Sequence, residues 1–171
     1  MATTFTKIDS YEVGSGGAAS IAFTSIPATY TDLVLKVSLR AETSGIDAAK
    51  VTFNGSSSGY SYRSIWASGS GTPASYNGSS DGFFQLQYSG GTSSTASTFT
   101  SGEVYIPNYA GSSNKSASVD QVQENNATTA YMVPMAWLWS NTAAITSITI
   151  AQSNGNLAQY STATLYGVKN A

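Results

Sequence analysis

In "DLVLKVSLRA", residues 32–41, Leu33, Leu35, Val37 and Leu39 fall on one side of an extended chain, and Val34, Lys36, Ser38 and Arg40 on the other. Side chains alternate sides with a period of two only along a strand; a helix would scatter the same residues around its axis. The stretch therefore predicts a half-buried β-strand. The same habit recurs in "TFTKIDSYEV", "SIAF", "KVTF", "FFQLQY", "GEVYI", "SASVDQVQ", "TSITIAQ" and "QYSTATLYGVK". With residues 130–141 this makes about ten runs, each close to the usual strand length of about five or six residues. Asn54-Gly55, Asn77-Gly78, Asp81-Gly82 and Asn154-Gly155 read as turns, since these dipeptides reach positive φ at little cost. The "SNGN" turn predicts a hairpin between the last two runs. The Ser/Gly-rich stretch 56–80 reads instead as a long loop pinned by Tyr60, Tyr62, Ile65 and Trp66.

Strands this short and numerous, without a long helical period or an internal repeat, predict an all-β, jelly-roll-like antiparallel β-sandwich. At 171 residues the chain suits one domain, residues 1–171, large enough to bury roughly two thirds of its unfolded surface. Charged residues are 9% of the total, and the rest of the polar content is Ser, Thr, Gly and Asn. That favours neutral loops over the charged composition of disordered chains. The seven basic residues are scattered singly and the net charge is -2, so neither a nucleic-acid backbone nor an anionic membrane surface is an expected partner. "MATTFTKIDSYEV" carries no apolar run of the kind a secretory leader needs, and Tyr131 to Trp139 falls well short of the roughly 20 residues that span a bilayer.

The chain has no histidine and no cysteine. This removes Ser-His-Asp and Cys-His nucleophile systems and His or Cys zinc sites, and no cofactor or metal is expected. A glycosidase would need two carboxyl groups about 5 to 9.5 Å apart. Asp120 and Glu124 share a strand face, but four residues at roughly 3.3 Å each hold them about 13 Å apart. "GSGTPA", from Gly69 to Ala74, matches G-x-G-x-x-A formally, without the strand-then-helix setting that a dinucleotide site requires. No enzyme is expected.

The bulk of the chain gathers in "AYMVPMAWLWSN", residues 130–141. As a strand it turns Tyr131, Val133, Met135, Trp137 and Trp139 one way, and Met132, Pro134, Ala136 and Leu138 the other. Both faces are apolar. One face packs a core; the other is covered either by a loop of the same chain or by another subunit. Pro134 lacks a ladder donor, which suggests an edge or bulge where a second chain could dock. Met132, Met135, Trp137 and Trp139 are accordingly the candidate contacts with a second chain. A sugar platform on the tryptophans ranks third, because Met and Val surround them. The candidates for glycan contact are instead Tyr60, Tyr62, Trp66 and Tyr76, taken as exposed loop aromatics.

Several stretches together, "VGSGGAASIAFTSIPATYTDLVLKVSLR", "FNGSSSGYSYR", "YIPNYAGSSNKS", "LWSNTAAITSITI" and "YSTATLYGVKNA", resemble a family of small virion structural proteins of tailed, mainly aquatic, bacteriophages. They run in order through most of the chain, leaving residues 41–50 and 64–100 without a counterpart. The resemblance implies a jelly-roll-like sandwich on the virion surface, in the context of head decoration, head fibres or tail-associated parts. It implies a homotrimer that binds the phage major capsid protein as a decoration or cement protein. The alternative is a fibre or tail-associated module that binds host glycans.

Overall fold

The computed structural model describes residues 4–69, 71–126 and 130–169. Twelve strands follow in order: β1 (Phe5–Glu12), β2 (Ser20–Phe23), β3 (Asp32–Leu39), β4 (Asp47–Phe53), β5 (Tyr60–Ser68), β6 (Ala74–Asp81), β7 (Phe84–Ser89), β8 (Thr100–Ile106), β9 (Lys115–Gln123), β10 (Tyr131–Trp139), β11 (Ile148–Gln152) and β12 (Thr162–Val168). They form an unequal sandwich. The large sheet has eight strands in the order β1-β12-β3-β8-β9-β10-β5-β6, and the small one has four in the order β2-β11-β4-β7. Every ladder is antiparallel. Only β5–β6, β8–β9 and β9–β10 are consecutive neighbours within a sheet; all other connections cross between sheets, which gives the jelly-roll-like layout.

The alternation seen in the sequence sets which side of each strand is buried. Leu33, Leu35 and Leu39 face inward from β3, Val104 and Ile106 from β8, and Ile148 and Ile150 from β11, all at or near complete burial. The densest part of the interior is aromatic. Phe84 of the small sheet stacks on Trp137 of the large one, with centroids 4.3 Å apart and planes 6° from parallel. Phe53 meets Phe84 and Trp139 edge-on at 5.4 and 5.7 Å, and Tyr60 lies 4.8 Å from Phe84 and stacks on Trp139. Edge-on and offset pairs suit the ring quadrupole and add about 0.5–1.5 kcal/mol each beyond the area buried. Tyr60 keeps its hydroxyl satisfied inside: the Phe53 N–H donates to it at 2.9 Å and it donates back to the Phe53 carbonyl at 3.2 Å.

These positions correct the expected interface. Met135, Trp137 and Trp139 are buried by their own chain, Trp137 being 2% exposed, and offer no surface to a subunit. They pack between the two sheets because the inward side of β10 faces β7 and β4. Pro134 does not mark an edge either. β10 lies inside the sheet, and the missing donor leaves only a local gap: the pairing with β5 runs from Met132↔Ala67 to Met135↔Ser64, while the ladder to β9 continues through Pro134↔Asp120.

Stretch 56–80 is not a loop. It contributes β5 and β6, a hairpin that sequence reading missed because Ser and Gly dilute its pattern. Asn77-Gly78 lies within β6 instead of turning the chain. Glycine is required there because the Tyr62 ring occupies the place of a side chain: a Cβ on Gly78 would come within 2.3 Å of Tyr62 and 2.0 Å of Asp81. "SNGN" does turn, with Gly155 at φ +65, but it joins strands of different sheets and makes no hairpin.

Two substitutions test this packing. Trp137→Ala should cost roughly 3–5 kcal/mol of folding stability in chemical denaturation, because the cavity opens at the contact between the sheets. Gly78→Ala should cost about 1–3 kcal/mol by overpacking against Tyr62. A change within about 0.5 kcal/mol in either variant, the range of an ordinary surface substitution, would contradict the packing described.

Candidate functional site

The structure distributes the expected site residues over three places. Met135, Trp137, Trp139, Tyr60 and Tyr62 are in the core, so Tyr60 and Tyr62 are corrected from exposed loop aromatics to buried strand residues. Their inward direction follows from β5, where Tyr60, Tyr62 and Ser64 alternate with the outward Arg63 and Ile65. Met132 lies on the outer face of the large sheet, 62% exposed. Trp66 and Tyr76, also on strands, meet at a cleft between the sheets.

The outer face is built by register. Met132 lies between Val122 of β9 and Ala67 of β5, and Ala136 between Ser118 and Arg63. Met132, Val122 and Ala67 with Ile65, at 60% exposure, and Pro134 make an apolar strip across β9, β10 and β5 that narrows to Ala136 and Leu138 and is bordered by Asp120, Ser118 and Arg63. Two shallow grooves follow it. One, about 400 Å³, is lined by Arg63, Ile65, Pro134 and Ala136; the other, about 420 Å³, by Ala67, Val122 and Met132. Single exposed apolar side chains are ordinary on a protein surface; here several adjoin one another.

Towards β8 and β3 the same face becomes charged. Lys36 and Glu103 form an ion pair at 2.8 Å, and Glu103 stands directly opposite Asp120. The structure thus brings together two carboxylates that the sequence does not place near each other, while Asp120 and Glu124 stay on one exposed side of their chain segment. The pair lines a shallow depression of about 260 Å³ on the sheet face, beside Lys36, Gly102 and Val122. Its evident effect is electrostatic: Lys36 offsets the repulsion of like charges held opposite each other.

The cleft, about 360 Å³, opens where the free edge β6 of the large sheet faces the free edge β7 of the small one. Trp66 and Tyr76 enter from one side, and Gln85, Gln87 and Tyr88 from the other, with Ile46, Asp47 and Ala48 at the end. Tyr88 has φ +62, a left-handed conformation that is uncommon for a bulky residue. The surroundings hold it there. Gln121 Nε2 donates to the Gln87 carbonyl and Thr100 Oγ1 donates to the Tyr88 carbonyl at 3.0 Å. The Tyr88 ring stacks on Tyr131 at 3.8 Å and 4°, and Trp66 leans on both rings at 5.9 Å. Sequence reading missed Tyr88, Gln85 and Gln87 because β7 looked only like a core strand.

Comparison with protein-family models, with curated proteins and with solved structures finds no match.

The tyrosines give the fold a defined alkaline limit. Burial, the largest cause in each case, raises the Tyr60, Tyr62, Tyr88 and Tyr109 hydroxyls above the ordinary value of 10.0. A group raised on folding keeps its full contribution below the unfolded value and loses it as pH climbs through the folded one. Lys115, lowered from 10.5 by burial, works in the opposite sense, and its gain is complete once pH passes 10.5. Stability should therefore fall above pH 10.5, with tyrosinate absorbance and loss of circular dichroism rising together. Tyrosinate formation by all the tyrosines without unfolding would contradict their burial.

Proposed function

We propose that this chain is a virion structural protein of a tailed bacteriophage: a capsid decoration or cement module, homotrimeric, that docks on the outer surface of the head shell. The carrying observation is the bare apolar strip of Met132, Ile65, Leu138 and Val122, set in an otherwise polar sheet face. The resemblance in the sequence supplies the virion context. In this reading function is binding. Apolar area removed from water contributes about 25 cal/mol per Å², and many weak contacts on one lattice act together to secure a DNA-filled shell. Contact residues on a rigid sheet lose little entropy on docking, which favours this face over a loop.

The alternative, a fibre or tail-associated module that holds host glycans, would use a different surface, the cleft of Trp66, Tyr76 and Tyr88. Copy number separates the two. Quantitative mass spectrometry of purified particles should find on the order of hundreds of copies, scaling with the icosahedral lattice. About a dozen or fewer would favour the fibre or tail reading, and none would overturn both. Met132→Glu with Ile65→Glu should abolish docking to stripped heads while unfolding within about 0.5 kcal/mol of the parent, as exposed substitutions do.

A further inference from the structure

We infer that the cleft between β6 and β7 is a binding site for a neutral sugar, one or two pyranose rings long. The inference concerns a different surface from the apolar strip and holds wherever on a particle the protein sits. Its first support is the kind of surface gathered there. Trp66 and Tyr76 present aromatic rings from one sheet and Tyr88 from the other, and Tyr76 is 52% exposed. The electron-rich ring faces suit the weakly positive C–H face of a pyranose. Gln85 and Gln87 stand beside them, and an amide both donates and accepts, which matches a hydroxyl. Among the described residues, the Gln85 side chain has no hydrogen-bond partner within the protein and is left to a ligand or to water.

The second support is preorganisation. A bulky residue at φ +62 costs stability, and such conformations persist where the surroundings over-determine them, often at ligand sites. Here the amide of Gln121, which is itself buried, and the hydroxyl of Thr100 fix the backbone on either side of Tyr88, and Tyr131 supports its ring from behind. Rings held before the ligand arrives lose little freedom on binding.

Charge narrows the ligand class. Among the described residues no Lys or Arg lines the cleft, and Lys50, directly opposite Gln85, is turned over the Phe83 ring at 4.9 Å and donates to the Ser153 carbonyl at 3.4 Å, which disfavours a phosphate, sulfate or uronate in the cleft. Its carboxylate, Asp47, already accepts from the Ala48 and Asn154 backbone N–H groups at 2.8 and 3.0 Å. That engagement leaves it poorly placed to hold a quaternary ammonium, the other guest that aromatic side chains favour. The volume of about 360 Å³ lies at the low end of small-ligand sites, roughly 300–1,000 Å³, and the opening is wide. Affinity should be weak, with Kd on the order of millimolar.

The test uses the full chain and three probes, D-glucose, D-galactose and D-mannose with their β-linked disaccharides, followed by tryptophan fluorescence and by chemical-shift changes. Choline serves as the cationic control. Gln85→Ala and Tyr76→Ala, both on edge strands, should each weaken binding about tenfold or more; Gln85→Ala should leave the unfolding midpoint unchanged, and circular dichroism checks the fold of Tyr76→Ala because its ring contacts the core residue Tyr62 at 6.0 Å. Trp66→Ala should abolish it, with circular dichroism checking the fold because Trp66 packs partly on the core. Failure of every neutral sugar to bind at up to tens of millimolar, preference for choline, or binding unaffected by both edge variants would each overturn the assignment. The copy number and the docking of the outer-face variant are unaffected by these outcomes.

Discussion

The stacked pair of Phe84 and Trp137 is the contact on which the sandwich depends. A four-stranded sheet cannot cover an eight-stranded one evenly, and the chain resolves this by placing its largest side chains where the two overlap. Phe53, Tyr60 and Trp139 complete the cluster around that pair. With no disulfide available, the sheets are held by burial and ring geometry rather than by a covalent tie. The inward half of residues 130–141, Met135, Trp137 and Trp139, is explained by this demand: it is an adhesive between the sheets of one chain.

Fixing the inner face of β10 also fixes its outer one. Because successive side chains alternate, burying Met135, Trp137 and Trp139 forces Met132, Pro134, Ala136 and Leu138 into solvent. An apolar set that could have been avoided at no cost to the core is present on that side. The proposed docking to a capsid lattice follows from this second face, and the proposed sugar site from the edges that the small sheet leaves open. The two surfaces share β5, whose outward Ile65 and Ala67 serve the strip and whose Trp66 lines the cleft, and they lie on opposite sides of that strand.

Much of the fold was legible in the sequence because a period of two records burial directly. β8, β9, β11 and β12 follow the quoted alternation closely, and β3 does so from Leu35 to Leu39, whereas Val34 on its other side is buried as well. What failed has particular causes. β6 is hidden by Gly78, which reads as a turn residue but makes room for the Tyr62 ring. The Asn154-Gly155 turn is real, yet local sequence does not say that its flanking strands join different sheets. Pro134 suggested an edge, since the cost of a missing donor is visible and the neighbouring ladder that absorbs it is not. The site was less legible. Trp66 and Tyr76 were named, but Tyr88, Gln85 and Gln87 come to them only through tertiary packing. Alternation marked Trp137 and Met132 as opposite faces without saying which one was buried.

The most direct measurement is photo-crosslinking from the outer face on intact particles, with a photoreactive amino acid in place of Met132 and mass spectrometry of the products. Docking of the β9–β10–β5 face on the head shell predicts crosslinks to the major capsid protein at one recurring site. Absence of any capsid crosslink, with the probe reacting only with solvent or with another copy of this chain, would contradict it.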